Sequence, residues 1–96
     1  MSIKDQLLIP DAVIADPKSF EILRVWIANK SQQVSIRTDT WNDPAAWGIM
    51  LADLAGHIAN AFAEKGMPRD QALKRIRAGL EAELNHPTDR PTGHTI

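Results

Sequence analysis

The clearest candidates for chemistry in this sequence are an aspartate and a histidine four residues apart. Asp53 and His57 fall on one face of a predicted helix, where a carboxylate can orient an imidazole as a general base. A catalytic zinc site needs about three protein ligands, but His86 and His94 lie at a helix end and in the tail. We therefore predict no metal, no cofactor and no catalytic residue. Asp53 and His57 stay candidates for a small-ligand site or a weakly marked enzyme, and the alternative is a solvated helix face.

Two tryptophans around a predicted helix start form a second candidate site. Trp41 and Trp47 flank the pair Asp43-Pro44, and backbone amides at a helix N-terminus can bind an anion. The two indoles would then flank the ligand. The alternative, which we favour, is that Asp43 caps those amides while the indoles fill a gap between sheet and helix.

A basic and aromatic group on the predicted sheet is the third candidate. Arg24, Trp26 and Arg37 resemble a platform for single-stranded nucleic acid, but Glu21 and Asp39 stand beside them. The chain has 11 basic and 12 acidic residues, which gives a net charge of −1 and no overall field that would attract nucleic acid. Binding of nucleic acid is therefore an alternative that we do not favour.

Length and composition restrict the class of protein. The chain has 96 residues and no cysteine, so it forms one domain without disulfides or a thiol nucleophile. Its first apolar run, residues 7–9, is too short for a signal peptide, and no stretch reaches the length of a membrane span. We expect a cytoplasmic protein that does not bind membranes, with one domain over residues 1–88 and a flexible tail over residues 89–96.

Two runs rich in β-branched residues predict a β-hairpin. The strands cover residues 22–27 and 33–38. The residues between them lack an Asn-Gly turn, so we expect a four-residue loop over residues 30–33. Alternation places the core-facing side chains on one face, namely Leu23, Val25, Ile27, Val34 and Ile36.

Two helices follow the hairpin. Asp43-Pro44 begins the first helix, Gly66 ends it, and a second helix runs from about residue 68 to residue 85. Folded back on each other, the helices align the pairs Phe62–Leu73, Ile58–Ile76, Leu51–Leu80 and Trp47–Leu84. The predicted fold is α+β, with an antiparallel β-hairpin packed against a two-helix antiparallel layer. Residues 7–15 are the candidate for a third strand.

The hairpin has two apolar faces, whereas one layer of helices covers only one of them. The reverse face would remain exposed, and apolar patches of that kind usually mark an interface. We therefore predict a homodimer and a non-enzymatic interaction or regulatory role, with an unidentified protein as a further partner. In a competing arrangement residues 1–15 fold over this face and the protein is a monomer. The interface candidates are Phe20, Ile22, Trp26 and Ala28.

The order of these features is similar to that of a known family. The segments concerned are Ile9-Pro10-Asp11-Ala12, Glu21-Ile22-Leu23-Arg24-Val25-Trp26, Asp43-Pro44-Ala45-Ala46-Trp47-Gly48-Ile49-Met50-Leu51-Ala52-Asp53, Gly56-His57-Ile58-Ala59, Ile76-Arg77-Ala78-Gly79 and Glu83-Leu84-Asn85-His86-Pro87-Thr88. They resemble a family of short bacterial proteins, mainly alphaproteobacterial and about one hundred residues long, that is classed as a domain of unknown function. The resemblance implies a stand-alone cytoplasmic protein, and it implies no activity, cofactor or catalytic residue.

Overall fold

A computed structural model describes residues 5–86 and 92–95 of the chain. It confirms the α+β class, with an antiparallel hairpin followed by two long helices. In chain order the elements are α1 (Asp11–Ala15), β1 (Leu23–Ala28), β2 (Ser31–Ile36), α2 (Pro44–Glu64), α3 (Arg69–Asn85) and β3 (Thr92–Thr95).

The hairpin turn is shorter than the sequence predicts, and the register differs accordingly. Leu23 pairs with Ile36 and Ala28 pairs with Ser31, so the loop contains only Asn29 and Lys30. Both loop residues have a positive φ, 54° and 63°, as a type I′ turn requires. This turn matches the twist of the strands better than a longer loop, although its second residue is not glycine. The prediction of a four-residue loop is wrong, but the two faces of the hairpin keep the predicted residues because the shift in pairing is even.

The third strand does not come from residues 7–15. Within that segment, residues 11–15 form helix α1, and residues 7–10 belong to no strand. The third strand is instead β3, which pairs parallel with β2 and gives the sheet order β1-β2-β3. The sequence-based prediction placed these four residues in a flexible tail. The rest of that predicted tail, residues 89–91 and 96, lies outside the described residues.

Helix α2 begins and ends where the sequence predicts. The Asp43 carboxylate accepts a hydrogen bond from the Ala45 amide at 3.0 Å, which caps the helix in front of its N-terminal proline. At the other end Gly66 has a φ of 108°. The Met67 amide donates to the Phe62 carbonyl oxygen at 3.1 Å, and this bond closes the last turn.

Helices α2 and α3 bury two alanines and are joined by an arginine. Ala59 and Ala72 are the buried core residues of the described part of the chain. At Gly56 an added Cβ would lie 3.3 Å from Nη2 of Arg69, and Nε of Arg69 donates to Oδ1 of Asn60 at 2.7 Å. The large side chains of the predicted ladder stay substantially exposed, including Leu51, Ile58, Phe62, Leu80 and Leu84.

The sheet and the helices are separate in the part of the chain that the structure describes. In residues 5–86 and 92–95, no strand has a Cα atom within 8 Å of one in α2 or α3. The predicted packing of the hairpin against the helix layer is therefore not found among these residues. The radius of gyration is 15.4 Å, against about 12 Å for a compact chain of this length.

Candidate interaction surfaces

An apolar groove runs between the N-terminal segment and β1, the edge strand of the sheet. Its volume is about 510 Å³, and its lining includes Leu7, Ile9, Phe20, Val25 and Trp26. Edge strands present unpaired backbone groups that can bind another chain. The groove therefore lies beside a strand that has no partner strand on its outer side in the described sheet.

One face of β1 has two cation–π contacts. The Arg24 guanidinium lies 5.9 Å from the centre of the Trp26 ring, and the Arg37 guanidinium lies 5.6 Å from that of Phe20. Arg24 also forms an ion pair with Glu21, with Nε 3.0 Å from Oε2. The structure thus places Arg24, Trp26 and Arg37 near one another, as the nucleic-acid hypothesis needs, but Glu21 offsets one of the two positive charges.

The predicted interface residues lie around this face with different exposure. Phe20 is 61% exposed and Ala28 is exposed, whereas Ile22 and Trp26 are half-buried. The opposite face, which the sequence assigns to the core, is more open than expected at Ile27, which is 75% exposed. Sequence reasoning identified both faces as apolar but could not show that, within the described residues, neither α2 nor α3 lies near the sheet.

Helix α2 presents a second open apolar surface. Four large residues lie on one side of the helix with between 40% and 51% of their surface exposed. We call this surface the α2 arc, and its members are Leu51, Leu54, Ile58 and Phe62. Ala59 and Ala72 are buried, whereas the α2 arc stays substantially exposed within the described part of the chain. The ladder predicted from the sequence instead pairs three of these residues, Leu51, Ile58 and Phe62, with residues of α3.

The two tryptophans at the start of α2 contact each other. Their ring centroids are 5.1 Å apart and the rings are nearly perpendicular, at 79°, which is a favourable edge-to-face geometry. The Asp43 carboxylate already accepts the hydrogen bond from the Ala45 amide. The structure therefore contains the predicted cap and a direct contact between the indoles, but within the described residues no strand lies near α2, so the indoles fill no gap between sheet and helix there.

Asp53 and His57 lie one turn apart on α2, and both are exposed. Neither residue lines the groove along β1. Within residues 5–86 and 92–95, no group of three or more His, Asp or Glu side chains is arranged to hold a metal ion. The same residues include no helix that is both long and apolar enough to cross a membrane.

Comparison with known proteins shows what the chain is similar to. Residues 6–88 match the model of a family described as a domain of unknown function, DUF5076. A solved structure from the photosynthetic bacterium Rhodopseudomonas palustrus CGA009, described as a putative pyruvate dehydrogenase, is 32% identical and superposes with a TM-score of 0.76. The match covers 96% of this chain and 95% of that one. No curated protein matches the chain. The family resemblance seen in the sequence is thus confirmed, and the chain belongs to the DUF5076 family.

Proposed function

We propose that this protein is a non-enzymatic interaction module that works as a homodimer in the cytoplasm. The proposal rests on one observation, the large exposed surface of the single chain. A protomer exposes 8716 Å², whereas a folded monomer of 10.6 kDa exposes roughly 5,500 Å². Ala59 and Ala72 alone form the core of the described residues.

The size of the excess supports an obligate partner rather than a transient one. About 3,200 Å² per chain, or about 6,400 Å² for two chains, lies above the monomer expectation, and obligate homodimer interfaces bury about 2,000–5,000 Å² or more in total. Fully burying one large apolar side chain in an interface contributes about 1.5–3 kcal/mol to the stability of the complex. A second copy of the chain is always present at the same concentration, and two-fold dimers are the commonest soluble oligomers.

Sedimentation equilibrium at micromolar concentration tests the homodimer. We expect a single species at twice the monomer mass, and a single species at the monomer mass would contradict the proposal. Two variants locate the interface: Trp26→Glu should dissociate a dimer that uses the face predicted from the sequence, and Ile27→Glu should dissociate a dimer that uses the opposite face of the sheet. Arg75→Glu replaces an exposed α3 residue with the same new side chain and should leave the mass unchanged.

The interaction role is tested by a pulldown of the tagged protein from its host lysate, with mass spectrometry of proteins and small molecules. We expect a stoichiometric protein partner, recovered equally by the wild type and by the double variant Asp53→Asn/His57→Ala. A small molecule retained by the wild type and lost from the double variant would support the ligand-binding alternative. Oxidation of pyruvate by the purified protein would contradict a non-enzymatic role.

A further inference from the structure

We infer that in the homodimer the helices of each protomer cover the sheet of the other. The α2 arc of one chain lies on the open sheet face of its partner, which is formed by Leu23, Val25 and Ile27. This inference rests on the proposed homodimer and adds the arrangement of its interface.

The two surfaces are apolar, and within the described residues neither of them covers the other. Val25 is 48% and Ile27 is 75% exposed on the sheet face, and Phe62, at the end of the α2 arc, is 44% exposed. A sheet with an apolar face is stable when another layer packs on that face, and an amphipathic helix has the same requirement. Within the described residues no strand lies near α2 or α3, so the missing layer for each surface comes from outside the chain.

The connection between β2 and α2, which we call the elbow, keeps the helices away from the sheet of the same chain. The elbow comprises residues 37–43. At its first residue the Arg37 amide donates to the Ile22 carbonyl oxygen at 2.9 Å, and Nε of Arg37 donates to the Glu21 carbonyl oxygen at 3.0 Å. Its next turn is closed by the Thr40 hydroxyl, which donates to the Arg37 carbonyl oxygen at 2.7 Å.

The far end of the elbow is fixed to the helix itself. Asp43 caps α2, and the Trp41 ring packs edge-on against the Trp47 ring of the first helical turn. With these contacts formed, no strand lies near α2 within the described residues. Covering by a second copy preserves all of these contacts.

A two-fold axis makes one contact occur twice. If the α2 arc of the first chain covers the sheet of the second, symmetry places the second arc on the first sheet. One type of contact therefore covers all four open surfaces. In the alternative dimer, each sheet face would pack on the partner's sheet face and each α2 arc on the partner's α2 arc. Both surfaces would then have to lie on the two-fold axis, but the elbow holds them apart.

Cysteine cross-linking tests this arrangement directly, because the natural chain contains no cysteine. A tagged Ile27→Cys chain is coexpressed with an untagged Leu54→Cys chain, and the purified dimer is treated with a short bismaleimide. We expect a covalent product that contains one tagged and one untagged chain. Val25→Cys with Ile58→Cys is the second pair, in case either variant of the first pair fails to fold.

The matched control replaces the neighbouring residue on the polar side of the helix. Asp53→Cys is coexpressed with Ile27→Cys, and we expect at least a tenfold loss of the mixed product. A dimer that links only Ile27→Cys to itself, or only Leu54→Cys to itself, would overturn the inference and leave the homodimer intact. A link within one chain of the double variant Ile27→Cys/Leu54→Cys would overturn it as well. A monomer mass in sedimentation would overturn both the inference and the proposed function.

Discussion

The polar side of α2 shows that a carboxylate and an imidazole with the spacing of a catalytic pair can both be exposed on a helix surface. Asp53 and His57 have the spacing at which a carboxylate orients an imidazole, but both are exposed on the helix and outside the apolar groove. The α2 arc and the contact with α3 lie on other sides of the helix, so these polar residues fit the remaining solvent-facing side.

His57→Ala tests that description of the polar side. We expect a loss of less than about 1 kcal/mol in the free energy of unfolding, as for other exposed substitutions. Thermal unfolding followed by circular dichroism measures the change at fixed protein concentration. A fall of more than about 8 °C in the melting temperature would show that the imidazole is buried in a network.

The hairpin turn makes a sharper prediction, because Lys30 occupies a conformation that favours glycine. Its φ is 63°, in the left-handed region where a side chain costs about 1–2 kcal/mol. Lys30→Gly should therefore raise the free energy of unfolding by about 1 kcal/mol. Urea unfolding measures this gain.

Lys30→Ala is the matched control for the turn. It removes the same long side chain but keeps a Cβ atom, so the backbone cost remains and stability should stay within about 0.5 kcal/mol of the wild type. Equal stabilisation by both variants would mean that the lysine side chain, and not the backbone conformation, is responsible.

At the scale of elements, local rules predicted the helices better than the strands. The cap at Asp43 and the glycine at Gly66 act within a few residues, so the sequence located the ends of α2. Strand register depends on the turn between β1 and β2, and an Asn-Lys turn is not a recognised signal for a two-residue loop. The partner of β2 on its other side is distant in sequence, and no local pattern marks residues 92–95 as a strand.

Deleting residues 92–96 tests the contribution of β3. The strand pairs with β2 over four residues, and its removal would leave the backbone groups on that side of β2 without their partners. We expect a lower melting temperature and faster amide hydrogen exchange in β2, while α2 exchanges as before. An unchanged melting temperature would support the flexible tail that the sequence predicts.

At the scale of the whole molecule, the sequence predicted apolar faces but not which surfaces would meet. The number of apolar residues on α2 and on the sheet fits two arrangements equally well. In one, α2 packs on the sheet of its own chain, and in the other it packs on the sheet of a second chain. The choice depends on the path of residues 37–43 between β2 and α2, which begins with a contact between Arg37 and the Glu21 backbone, sixteen residues away in the sequence. That contact is visible only in three dimensions.

If each protomer completes the core of the other, folding and association are a single event, and stability depends on concentration. Each tenfold increase in protein concentration should then stabilise the folded dimer by about 1.4 kcal/mol relative to two unfolded chains. Urea unfolding of the wild type at several concentrations measures this effect as a rise in the midpoint. Ile27→Glu places a charge on the covered sheet face and should greatly lower the midpoint at every concentration. Glu81→Lys, an exposed change on α3, should follow the wild-type dependence. A midpoint that is constant over a hundredfold range would mean that each chain is stable alone, despite the surface it exposes.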